Sequence, residues 1–155
     1  MCIRDSDYTF LEQLKGTKTH GSVTMEQIGY SLANGSYGIL EYGGHGNDDG
    51  ETSGETFATY QQAVNKKDEL VEWMIFDAED LVVLPRGSYY ALGLTPAYTN
   101  NTPSECSVAF ISTCYGTAAG DFNASCKVAG TGAATNEQLM ASFNCLISWL
   151  EDLSY

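Results

Sequence analysis

Two short, continuous apolar runs stand out along the chain, each ending in a turn that contains glycine. Tyr37 to Tyr42 (Y-G-I-L-E-Y) is the first and Val108 to Ser112 (V-A-F-I-S) the second. Runs of this length without polar alternation predict strands buried on both faces. Before the first run, Met25, Ile28 and Leu32 recur at helical spacing over residues 24–33, and Asn34-Gly35 supplies a left-handed stop. A second helix is predicted over 57–76. A third spans Glu137–Leu153, with Leu139, Met140, Phe143, Ile147 and Leu150 on one side. Leu81 to Leu84 (L-V-V-L), closed by Pro85, reads as another short strand.

The stretches between are read as irregular. Asn47 to Thr56 is polar and predicts an exposed loop. Residues 86–105 hold Gly87, Gly93, Pro96 and Pro103 and predict an irregular insertion. Gly116 to Asn136 is rich in Gly, Ala, Ser and Thr and reads as loop. There are no repeats and no interdomain linker. Strand–loop–helix alternation, with little hairpin chemistry between the two best strands, predicts an α/β fold with a mostly parallel sheet. Sites in such sheets form outside the carboxyl ends of the strands. His45 follows the first apolar run in Gly43-Gly44-His45-Gly46, and Cys114 follows the second in Thr113-Cys114-Tyr115-Gly116. Glu41, acidic within the first run, places that strand near an edge or turns its side chain toward the site.

Charge narrows the partners. Seven basic against 20 acidic side chains give a net charge of -13. Phosphate backbones and anionic membrane surfaces are repelled by that balance, which argues against nucleic-acid binding. No apolar run reaches the length of a membrane helix, so membrane insertion is not expected. The opening Met-Cys-Ile-Arg-Asp-Ser reads as a translated library adapter, which sets residues 1–6 and Cys2 aside and leaves 7–155 as a partial domain, expected to be truncated at both ends. Asn34-Gly-Ser, Asn100-Asn-Thr and Asn123-Ala-Ser fit glycosylation acceptors, and point to a secreted or extracytoplasmic protein.

Four cysteines remain: Cys106, Cys114, Cys126 and Cys145. Cys106 and Cys114 bracket one extended strand and lie about 26 Å apart, too far for a disulfide. Cys126 with Cys145, or Cys106 with either, stays open. Neither C-x-x-C nor H-E-x-x-H occurs, which removes a structural zinc or zincin site. Asp48, Asp49, Glu51 and Glu55 are calcium candidates without the alternating spacing of an EF-hand, so a solvated acidic loop is expected and no cofactor is required. G-x-S-x-G and the P-loop pattern are both absent.

A thiol nucleophile needs an accessible sulfur, a nearby histidine to manage protons, and backbone N–H groups for the oxyanion. Cys114 and His45, at matching ends of the two strongest strands, meet the first two needs if those strands are parallel neighbours. His20-Gly21 is rejected as the histidine, because the polar Leu14-Lys15-Gly16-Thr17-Lys18-Thr19 precedes it.

The blocks Y-G-I-L-E-Y-G-G-H-G-N and V-A-F-I-S-T-C-Y-G resemble the caspase-like cysteine peptidases (caspases, legumains, clostripains, separases and gingipains). The order L-A-N-G-S-Y-G-I-L-E-Y-G-G-H-G is most similar to gingipain catalytic domains, as is Gly120-Asp121-Phe122 after the nucleophile. The likeness covers residues 24–50 and 107–122, and Ser-Thr-Cys-Tyr-Gly replaces the caspase Gln-Ala-Cys-x-Gly. The resemblance implies a caspase-like three-layer sandwich around a mostly parallel sheet, with an insertion within 57–105. It makes Cys114 the nucleophile and His45 its acid–base partner, with the backbone N–H groups of Gly46 and Cys114 as the oxyanion hole. Its implied activity is endopeptidase cleavage of protein or peptide substrates through a thioester. A catalytically inactive scaffold or secretion-associated domain of the same fold is the alternative.

Overall fold

A computed structural model describes residues 23–152, apart from the side chains of Tyr37, Asn136, Leu150 and Glu151. The adapter-like residues 1–6 and His20-Gly21 lie outside the described residues. In chain order the elements are α1 (Met25–Asn34), β1 (Ser36–Gly43), β2 (Thr52–Phe57), α2 (Tyr60–Glu72), β3 (Leu81–Arg86), β4 (Tyr89–Leu94), α3 (Pro96–Thr99), β5 (Glu105–Ser112), β6 (Ala124–Ala129) and α4 (Asn136–Asp152).

The three longer helices begin alike. The hydroxyls of Thr24, Thr59 and Thr135 each accept a hydrogen bond from the backbone N–H three residues on, and each threonine N–H in turn donates to the side-chain oxygen of Gln27, Gln62 or Gln138. This Thr-x-x-Gln capping box satisfies donors that a helix start leaves open. Each threonine contributes about 1 kcal/mol. The amino end of α1 is tied further by Glu55, whose carboxylate accepts the Met25 N–H at 3.0 Å.

The strands form two sheets, which corrects the expected architecture. One sheet has the order β1-β5-β6 with both pairings parallel; the other has the order β2-β4-β3 with both antiparallel. One mostly parallel sheet in a caspase-like three-layer sandwich is therefore not what forms, and the caspase-like or gingipain-like architecture does not describe this chain. The physical reason lies in segments read as irregular. Gly87-Ser88 joins β3 to β4 as a two-residue hairpin, with Gly87 at φ +65°, the positive φ that such turns need at their first central position. The polar Thr52–Phe57 pairs with β4, so 47–56 is not simply a loop. β6 likewise lies inside the predicted loop 116–136 and extends the parallel sheet.

β1 and β5 are parallel neighbours, in register from Ser36↔Glu105 to Gly43↔Ser112. β1 is an edge strand of that sheet, which accounts for the half-buried Glu41 within it. β5 is central and buried on both sides. Ala109 and Ile111 join the main core with Met25, Leu70, Leu92 and Phe122, while Phe110 turns to α4 and meets Phe143 with ring centroids 5.1 Å apart. One sheet thus separates a large core, shared with α1, α2 and the antiparallel sheet, from a small one under α4. Among the described residues no helix is long and apolar enough to cross a membrane.

Candidate active site

Residues past the carboxyl ends of β1 and β5 build the site. The Gly44 N–H donates to the Ser112 carbonyl at 3.4 Å, carrying the ladder one step beyond Gly43↔Ser112. Gly46 then lies directly against the Cys114 carbonyl and the Thr113 side chain, and a Cβ there would have no space. Only glycine lets the two backbones approach so closely. His45 and Cys114 therefore occupy the same rim of the parallel sheet.

His45 is held through its backbone by β2. Its N–H donates to Ser53 Oγ at 2.9 Å, and its carbonyl accepts the Ser53 N–H at 2.7 Å. The Ser53 carbonyl in turn accepts the Tyr42 hydroxyl at 3.4 Å. Tyr42 is buried, which pushes its pKa up to about 12, and its ring lies 5.2 Å from that of Phe122. Sequence reasoning missed Ser53, because the Thr-Ser-Gly-Glu-Thr run carries no apolar signal. The imidazole is exposed and makes no hydrogen bond to a described residue. Its pKa is lowered, first by partial desolvation and then by the positive charge of Arg86, so the neutral ring is favoured.

Gly46 faces Thr52 across an isolated antiparallel bridge whose bonds are made by the flanking residues, Ser53 N–H to His45 carbonyl and Asn47 N–H to Glu51 carbonyl. Such a non-hydrogen-bonded pair leaves the Gly46 N–H uncommitted. The Cys114 N–H likewise has no backbone acceptor among the described residues.

Cys114 is half-buried at the start of a tight turn. Its sulfur accepts the Ala134 N–H at 3.4 Å and lies 3.5 Å from the Ala134 carbonyl. No hydrogen bond joins it to His45; rim and backbone are shared, side chains are not. Tyr115 follows at φ +53°, a left-handed conformation that tyrosine rarely adopts and that the surrounding turn must hold. The turn is pinned from several sides. Tyr115 N–H donates to Gly132 C=O and Thr117 N–H to Gly130 C=O. The Lys127 ammonium donates to the Thr117 and Ala119 carbonyls, while Thr99 receives the Gly120 and Phe122 N–H groups. Gly120-Asp121-Phe122 is thus structural, its phenylalanine fully buried.

Cys106, Cys114, Cys126 and Cys145 are all free thiols. The acidic loop does not converge: Glu51 accepts the Asn47 side-chain amide at 2.8 Å and Glu55 caps α1. Among the described residues no group of three or more His, Cys, Asp or Glu could hold a metal ion. No protein family, curated protein or solved structure matches the chain.

Proposed function

We propose that this chain is a cysteine endopeptidase that cleaves peptide bonds with Cys114 as nucleophile and His45 as acid–base partner. One observation carries the reading: Gly46 and Cys114 abut at the carboxyl ends of parallel strands β1 and β5, each with an uncommitted N–H. The neutral His45 imidazole takes the thiol proton as the sulfur attacks the amide carbon. The carbonyl oxygen becomes an oxyanion that accepts the Gly46 and Cys114 N–H groups. His45 gives its proton to the leaving amine, and a thioester remains. Water, deprotonated by His45, hydrolyses the thioester, releasing the acid and restoring the thiol. The mechanism requires the cysteine side chain to rotate away from Ala134, toward the imidazole. An extracytoplasmic setting is part of the proposal and rests on the three glycosylation sequons.

Peptide-derived electrophiles test it, because exposed Cys126 and Cys145 serve as internal controls. A peptidyl acyloxymethyl ketone is expected to modify Cys114 at least about 100-fold faster than either control thiol, read by peptide mapping. His45→Ala should remove that selectivity. Cys114→Ala should abolish peptide turnover while the melting temperature holds. Equal labelling of all three thiols would overturn the peptidase reading and leave an inactive scaffold.

A further inference from the structure

A second anomaly lies at the carboxyl end of α2, among residues that take no part in the candidate active site. The helix stops with Met74 N–H donating to the Val71 carbonyl and Ile75 N–H to the Leu70 carbonyl, both at 3.0 Å, around the C-cap Trp73. This pair of bonds is a Schellman stop, whose next residue is left-handed and ordinarily glycine. Here it is Met74, at φ +57°. The methionine costs backbone strain that glycine would avoid. Burial returns nothing, since Met74 is 89% exposed.

Met74 is not isolated. Trp73 is 52% and Tyr30 58% exposed. Lys66 joins the two helices, pairing with Glu26 of α1 and lying over the Trp73 ring at 5.3 Å. Tyr30 stands one turn along α1 from Glu26, and the neighbouring Gly29 packs directly on Ile75. Around these side chains the charge is acidic: Glu69, Glu72 and Asp77 are close in the chain, and Lys66 is already neutralised by Glu26 and Glu69.

We propose that Tyr30, Trp73 and Met74 form a docking surface for a partner polypeptide that carries lysine or arginine around a large apolar side chain. Aromatic and thioether groups supply adaptable apolar contact, and the acidic surround selects basic neighbours. A second copy of the chain would bring another charge of -13 to the same face, and an anionic bilayer would be repelled likewise.

The test titrates the full chain with two fluorescent synthetic peptides of equal length and charge. One is an amphipathic lysine–leucine peptide; in the other every leucine is glutamine. Trp73→Ala and Met74→Gly leave the protein's charge unchanged, so general attraction of cations is constant. Anisotropy should show the leucine peptide binding about tenfold more tightly to the wild type. Trp73→Ala should remove that preference. Met74→Gly should weaken it several-fold while raising the melting temperature, because glycine fits the left-handed position. Equal affinity for both peptides in the wild type, or a preference untouched by both substitutions, would overturn the proposal. A concentration-dependent dimer lost on Trp73→Ala would overturn it too, giving the face to a second copy.

Discussion

The parallel and antiparallel sheets are of equal size and both have a buried central strand, yet they are built differently. In the parallel sheet, Ala109, Phe110 and Ile111 of β5 are at most 2% exposed, and its β1 edge is itself an apolar run. In the antiparallel sheet β4 is buried just as fully through Leu92 and Leu94, but the β2 edge is Thr-Ser-Gly-Glu-Thr-Phe. That edge is held chiefly by pairing with β4, and Phe57 is its one apolar side chain, packed against the main core. Gly93 of β4 would meet the Thr52 carbonyl if it carried a Cβ, so close backbone approach replaces side-chain packing there. The two sheets also divide the work. The parallel sheet presents Cys114 and leads the chain to His45, while the antiparallel one supplies Ser53, which fixes the histidine backbone from both sides.

The join between the sheets is where a small change should matter most. Gly46→Ala puts a methyl group against the Cys114 carbonyl, and the rim must part to hold it. Labelling of Cys114 by the peptidyl ketone should slow by about 100-fold, the usual effect of displacing a reacting group by an ångström. A rate equal to wild type would separate Gly46 from the nucleophile.

Phe110→Ala probes the layer under the parallel sheet alone. The ring contacts Phe143 and is 2% exposed, so its loss should cost about 3–5 kcal/mol. Trp149 on α4 and Trp73 at the end of α2 report the two regions separately in single-tryptophan backgrounds. In Phe110→Ala, Trp149 should respond at lower urea concentration than Trp73. Coincident midpoints would mean that the sheets unfold as one cooperative unit.

The smallest effect expected is that of pH. The His45 pKa is lowered from its ordinary 6.5, so the unfolded chain binds the proton more readily than the folded one. Stability is therefore full above 6.5 and declines as pH falls through that value. His45→Gln should flatten this part of the stability profile between pH 7.5 and 5.5, measured by urea unfolding. An unchanged slope would assign it to other groups. On the proposed mechanism Cys114 labelling would need neutral His45, so its rate should hold to a pH below 6.5 before it falls.

Much of the parallel sheet was legible beforehand. Tyr37–Tyr42 and Val108–Ser112 both form strands. The covering of both faces expected of each run is met by Ala109–Ser112 of β5, whereas β1 is an edge strand whose Ile39, Leu40 and Glu41 are only half-buried. The helical spacing of Met25, Ile28 and Leu32 and the apolar side of α4 were equally local signals. Asn34-Gly35 does mark the end of α1, but Gly35 is extended at φ -90°, so the left-handed stop expected there does not form. The Thr-x-x-Gln boxes and the Gly87-Ser88 hairpin were also written in the sequence and went unread. A Gly-Ser pair between Leu-Val-Val-Leu and Tyr-Tyr-Ala-Leu was the sign that a second, antiparallel sheet would form.

Other features had no local signal to read. Nothing in Thr52–Phe57 or Ala124–Ala129 marks a strand apart from its neighbour. Their backbone donors and acceptors are satisfied by β4 and β5, and a partner distant in the chain cannot be inferred from local periodicity. The sequence by itself determined the apolar runs, the turns that end them, and the placing of His45 and Cys114 just beyond. Only the tertiary structure decided that β1 and β5 lie side by side and that Ser53 grips His45. It also set Cys114 against Ala134 and exposed Met74. Each of these depends on pairing and packing between segments far apart in the chain, where backbone hydrogen bonding and close contact outweigh what any residue prefers alone.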